Sequence, residues 1–196
     1  MDTFSLGKIP QYEQIAKQGT VIAFDTETTG LDSTDEVVQL AVIVMRQGKV
    51  EIERAVYLQN QKPIDGTEAQ AVNKLTDAFL KENGLPPRSV LFDFLCLLRK
   101  EYVASNGNMV LIAHNLPFDL EMVNAMCKRY GLPNIPDEII GCDTRMFVKS
   151  LNLPKHILPG NHLRNCITAF GLNAQNSHDA LDDTRACLEL FKYLVA

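Results

Sequence analysis

The chain has 196 residues, 46% of them hydrophobic and 22% charged, with a formal net charge of −5. That is long enough for one buried core, and the acidic balance excludes a general basic coat for nucleic acid. No apolar run approaches the length of a membrane span, so no membrane partner is expected. There is no internal repeat and no low-complexity tract. The five cysteines form no C-x-x-C pair and read as small buried hydrophobes in a reducing compartment. Met1 to Phe4 has no basic region leading into an apolar core, so a cytoplasmic location is expected.

In chain order, residues 1–19 read as a lead-in with a helical turn around Tyr12 to Lys17, and residues 20–196 as one domain. Val21 to Phe24 is a buried strand, apolar with no breaker. Val37 to Met45 and Val50 to Leu58 are two further strands, and the short connections predict an antiparallel meander. Glu68 to Leu75 and Pro86 to Tyr102 are helical, the second with an apolar stripe from Val90 to Tyr102. Met109 to Ala113 is a short strand running into a helix that Asn115 caps and Gly131 ends. Ile139 to Cys142 is another strand, followed by a helix to Ser150. Leu153 to Gly160 is a loop, Asn161 caps a helix from His162 to Phe170, and a last helix runs from about His178 to Leu194. A meander followed by alternating strands and helices predicts an α/β layer fold with a mixed sheet covered by helices.

Three stretches carry chemistry. Asp25 and Glu27 follow the first strand at i and i+2, so their like charges share one face, where a hard divalent cation would relieve the repulsion. A strand that ends in a polar turn explains this stretch as well. Asp119 falls in the first turn of a helix that begins at a strand end, where a plain helix-end charge is the simpler reading. His178 stands about one and a half helical turns ahead of Asp183, close enough to serve a metal-bound carboxylate as a proton acceptor. Physics alone does not choose among Asp179, Asp182 and Asp183. His156 and His162 are rival bases with no matching carboxylate.

Taken together, Asp-x-Glu at a strand end, His-Asn-x-x-Phe-Asp after another strand and His-x-Ala-x-x-Asp on a late helix resemble the DEDDh 3′→5′ exonucleases. That group includes the proofreading subunit of bacterial DNA polymerase III, ribonuclease T and oligoribonuclease. The resemblance runs from Val21 to the C-terminus. Asn73-Lys74-Leu75-Thr76-Asp77 is similar to a helix-end element of the group in which His and Gly are common at the first two places. That departure is expected to lie outside the metal site.

The resemblance implies a ribonuclease-H-like fold with a five-stranded mixed sheet flanked by helices. It selects Asp183 as the late acid and leaves Asp179 and Asp182 as solvent-facing neighbours. It implies two divalent ions, Mg²⁺ or Mn²⁺, about 3.5–4 Å apart, held by Asp25, Glu27, Asp119 and Asp183, with His178 as the base. Thr28, Gly30, Leu31, Asn115 and Phe118 would contact the 3′-terminal nucleotide. Core packing explains Phe118 equally well.

The implied activity is release of nucleoside 5′-monophosphates from a free 3′ end of single-stranded DNA or a polymerase primer. The alternatives are an RNA 3′-end-trimming exoribonuclease and, in another class, a catalytically silent nucleic-acid-binding or scaffold module. A polymerase or a second copy of the chain remains open as a partner. From Thr144 to His178 there is no acid, and Arg145, Lys149, Lys155 and Arg164 give that segment +4, leaving −9 elsewhere. One or more of these cations is expected to track the incoming phosphates; the simpler reading is a solvated surface.

Overall fold

A computed structural model describes residues 9–175 and 177–196. The first eight residues of the lead-in lie outside the described residues. The sheet begins with β1 (Thr20–Thr28), β2 (Val37–Arg46) and β3 (Lys49–Tyr57), paired antiparallel as the short connections predict. Gln47 and Gly48, both at positive φ, make the two-residue turn between β2 and β3, matching the twist of the hairpin. β4 (Met109–Ala113) and β5 (Ile140–Asp143) add in parallel, giving the order β3-β2-β1-β4-β5. The five-stranded mixed sheet flanked by helices is the predicted architecture.

Alternation along β1 sorts its side chains between two layers. Ile22 and Phe24 face one layer, which includes α4 (Pro87–Ala104) and α5 (Leu116–Arg129). Val21 and Ala23 face the other, built from α1 (Ile9–Gln18) and α8 (Ala180–Leu194). By the same alternation Asp25 and Glu27 belong to the α8 side, and Thr26 to the α5 side. The remaining helices are α2 (Glu68–Asn73), α3 (Asp77–Asn83), α6 (Thr144–Ser150) and α7 (Leu163–Phe170). α6, α7 and α8 share a smaller apolar cluster around Val148, Leu163, Cys166 and Leu190.

Several boundaries differ from those expected. α1 is a full helix rather than one turn, because Tyr12 and Ile15 are buried against the sheet. β1 continues through Asp25 and Glu27 to Thr28, because β2 pairs with it along that whole length. The helix expected over Glu68 to Leu75 stops at Asn73, since Lys74 turns left-handed. Thr76 then caps α3, an element the sequence reading missed. The cap of α7 is His162 rather than Asn161, through its backbone alone. Cys96 is exposed, while the other four cysteines are buried. Among the described residues no helix is long and apolar enough to cross a membrane.

Candidate active site

The acids meet at the end of β1 because three elements converge there. β1 presents Asp25 and Glu27 toward α8. Asp183 sits in the first turn of α8, only 7% exposed. Asp119, 3% exposed, belongs to α5 on the opposite layer. It reaches the strand by accepting two hydrogen bonds on Oδ1, from the Thr26 backbone N–H at 3.0 Å and the Thr26 hydroxyl at 2.8 Å. It is therefore more than a helix-end charge.

Burial comes first in shifting these groups, and mutual repulsion adds to it. Asp25 is raised well above the ordinary carboxylate range by burial and then by the charges of Asp119, Asp183 and Glu27. Glu27 is pushed up to about 8 by burial, then by Asp183 and Asp119. Asp119 rises to about 7 through burial, although its bonds from Thr26 act in the opposite direction. Carboxylates crowded in this way are starved of positive charge. That donor set suits a hard divalent cation, which takes oxygen ligands. One oxygen each from Glu27 and Asp183 and a ring nitrogen of His178 lie within 4.8 Å of one another, close enough to hold a metal ion.

His178 is not on the helix. α8 starts at Ala180, and His178 lies before it with a positive φ of 58°, exposed to solvent. The expected helical spacing to Asp183 is thus replaced by a folded-back loop. The Ser177 N–H donates to Asp183 Oδ1 at 3.1 Å, and the Ser177 hydroxyl donates to Asp182 at 2.8 Å. Those bonds close the loop over the helix start and bring His178 to Glu27. His156 and His162 are exposed and stand apart from this group.

Asp179 is not a plain solvent-facing neighbour. It is half-buried and caps α8 through the N–H groups of Leu181 and Asp182. Gln39, opposite Glu27 on β2, donates from Nε2 to Asp179 Oδ2 at 2.9 Å and accepts the Ala180 N–H at 3.2 Å. This two-point clamp fixes the start of α8, and with it Asp183, against the strand that carries Glu27. The sequence held a signal for it: Gln39 is the lone amide in an apolar strand.

Asn73 is a second residue that the sequence reading misplaced. Its side chain is 9% exposed, donates to the Thr28 carbonyl at 3.2 Å and hydrogen-bonds Glu27, lowering that acid against the effect of burial. The departure from the common pattern at Asn73 therefore falls at the site itself. The left-handed turn at Lys74 is what aims Asn73 at β1.

The turn after β1 is held from behind. The Thr28 hydroxyl donates to the Gly30 carbonyl at 2.6 Å, and the Thr29 N–H donates to the Glu36 carbonyl at 2.9 Å. The Asp35 carboxylate occupies the space that a Cβ on Gly30 would take, so a larger residue there would have to displace it. Leu31 projects outward, 84% exposed. Asn115 precedes α5 in the left-handed region, and its N–H rather than its side chain is engaged, donating to Asp143 Oδ1 at 3.1 Å. Phe118 is half-buried and packs on the core beneath α5. His114 is half-buried between the Thr144 hydroxyl at 3.0 Å and the Asn161 carbonyl at 2.9 Å. Burial pushes it down to about 4, so it is neutral at pH 7.

The layered mixed sheet, with strand order β3-β2-β1-β4-β5, has a ribonuclease-H-like fold. The chain belongs to the RNase_T exonuclease family, whose model matches residues 22–191. This bears out the resemblance seen in the motifs. Among relatives, the DNA polymerase III subunit epsilon of Treponema pallidum is 28% identical over 185 residues, covering 89% of this chain and 75% of that protein. The PolC-type DNA polymerase III of Thermotoga petrophila is 26% identical over 184 residues, covering 92% of this chain and 12% of the polymerase. Among solved structures, E. coli exonuclease I in complex with a dT13 oligonucleotide superposes with a TM-score of 0.74 at 17% identity, covering 90% of this chain and 41% of that one. The chain thus spans most of the epsilon subunit but well under half of the PolC polymerase and of exonuclease I.

Proposed function

We propose that the chain removes nucleoside 5′-monophosphates from the 3′ end of single-stranded DNA or a primer terminus. The observation that supports this most is the convergence of Asp25, Glu27, Asp119 and Asp183 from three elements, with His178 at their edge. The four carboxylates are the ligands for two divalent ions, Mg²⁺ or Mn²⁺. Bound ions supply a lowered pKa for an attacking water and charge stabilisation at the phosphoryl oxygens. Thr26 holds one oxygen of Asp119 in place, which orients the other. His178 takes the proton from water as its oxygen bonds to phosphorus. The bond from phosphorus to the 3′ oxygen breaks, and that oxygen gains a proton from solvent. The shortened strand keeps a 3′ hydroxyl.

At the strand end, the turn from Thr28 to Leu31 meets the terminal nucleotide, with Leu31 set against its base. Asn115 and the half-buried Phe118 bind the same end. The names of the epsilon and PolC relatives favour DNA over RNA.

The test is shortening of 5′-labelled DNA and RNA of one sequence, with Mg²⁺, Mn²⁺ or EDTA. The expected result is a metal-dependent ladder from the 3′ end, stronger on DNA and absent from Asp25→Ala. A stronger ladder on RNA would move the reading to an RNA-trimming enzyme. Full activity in the variant would end this assignment of the acids.

A further inference from the structure

His178, the proposed base, is exposed, and among the described residues its ring has no hydrogen-bond partner. Its aim is therefore set through its backbone. That backbone stands at a φ of 58°, a left-handed conformation that a residue with a side chain keeps where its surroundings impose it. The constraint comes from the residues on either side. Before it, Ser177 is tied twice to the first turn of α8, by its N–H to Asp183 and by its hydroxyl to Asp182. Asp182 in turn meets Arg185, which pairs with Glu53 on β3; that pair is exposed and contributes little. After it, Asp179 is tied to Gln39 of β2 at 2.9 Å.

The two anchors differ in kind. The bonds of Ser177 join the loop to α8, so loop and helix end would move together. The bonds of Gln39 join the residue after the base to the sheet. Gln39 is 2% exposed, and its register partner on β1 is Glu27. It therefore relates the base directly to the strand that carries Asp25 and Glu27.

We propose that Gln39 is a positioning residue for the reaction: through its bonds to Asp179 and Ala180 it sets where His178 stands relative to Glu27. The proposal rests on the exonuclease reading and adds what aligns the base. The role needs an amide, since Nε2 donates to Asp179 while Oε1 accepts the Ala180 N–H. A glutamate in its place only accepts, and meets Asp179 as a like charge. The bond can be inverted, however, at unchanged net charge. In Gln39→Glu/Asp179→Asn the asparagine amide donates to the glutamate, whose other oxygen still accepts the Ala180 N–H. Asparagine also caps a helix as well as aspartate does.

The test measures kcat and KM on a single-stranded DNA oligomer, with saturating Mn²⁺, for Gln39→Met with and without His178→Ala. Methionine keeps the volume and removes both bonds. Gln39→Met should lower kcat about tenfold and leave KM within about twofold, the scale of a lost orienting bond. In the His178→Ala background the same change should cost less than about twofold, because the base that it aligns is gone. Gln39→Glu should lose at least as much as Gln39→Met, and Gln39→Glu/Asp179→Asn should return to within about threefold of wild type. Should Gln39→Met fail to fold, the double variant, which keeps every bond, decides alone. An equal loss with and without His178 would place the effect of Gln39 elsewhere and overturn the proposal. So would a wild-type kcat in Gln39→Met, or no recovery in a double variant with wild-type melting. If wild type does not cleave the oligomer, or His178→Ala cleaves it as fast as wild type, the reading of the base itself fails and the role of Gln39 falls with it.

Discussion

Two groups of acids, one gathered around Asp25 and Glu27 and one at Asp35 and Glu36, behave in opposite ways. Asp35 and Glu36, behind the turn that carries Leu31, are neutralised. Asp35 pairs with Lys62 and accepts the Asp32 N–H at 2.9 Å; burial would raise it, but these partners outweigh burial and hold it below its ordinary value. Glu36 accepts N–H groups from Gln61 and Lys62 at 2.7 and 2.8 Å and pairs with Arg129 at 3.2 Å. At Asp25, Glu27 and Asp119 burial is instead reinforced by other carboxylates, and all three are raised. Burial of acids is common to both. What separates a structural cluster from a candidate reactive one is whether the protein supplies the compensating charge itself.

The contrast is sharpest under substitution. Asp25→Asn should lower exonuclease turnover by roughly three orders of magnitude or more, the scale of lost metal-assisted catalysis. Its fold should survive, as circular dichroism would check. Arg129→Ala should act the other way round. It strips the charge from buried Glu36, so stability should fall by about 2–3 kcal/mol, less than for a fully buried pair because Arg129 is one-third exposed. Urea unfolding would measure the loss. Asn73→Ala should cost about tenfold in kcat, with little change in melting temperature, since it orients Glu27 from behind. A change confined to stability would make Asn73 a plain packing residue.

The pH dependence should also divide the two groups. Glu27 titrates near 8 and Asp119 near 7 in the folded chain, against ordinary values of 4.5 and 3.8. Between those limits the metal-free folded chain holds protons that the unfolded chain releases, so its stability should fall as pH rises from about 4 to 8. Asp35, lowered from 3.8, contributes stability above that value and loses it as pH falls further. Unfolding free energies from pH 3 to 9 would show both limbs, and Glu27→Gln should flatten the upper one.

Much of this was legible in the sequence. Hydrophobic runs marked the five strands because each is a local pattern, while the acids stood out only when the Asp25/Glu27 pair, Asp119 and the His178 to Asp183 stretch were taken together as a resemblance to the exonuclease motifs. What stayed hidden depends on contacts between distant segments. The amide of Asn73 meets β1 from the last residue of α2, 45 residues later in the chain than Thr28. Gln39 grips Asp179 across a separation of 140. Arg129 reaches Glu36 across 93. Periodicity cannot report such pairs, and it misplaced His178 on a helix because Asp179 caps α8, which starts two residues later at Ala180.

The most direct test of the uncompensated cluster is thermal melting at pH 8, with EDTA or saturating Mn²⁺, of wild type and Asp25→Asn. The account predicts that Mn²⁺ raises the wild-type melting temperature by about 5–10 °C, the size expected for ligand near a hundred times its dissociation constant. Asp25→Asn should melt higher than wild type in EDTA, because an amide escapes the cost that burial and neighbouring acids impose on this carboxyl, and should lose most of the Mn²⁺ effect. An Mn²⁺ shift of equal size in both proteins, or a variant that melts lower than wild type in EDTA, would contradict it.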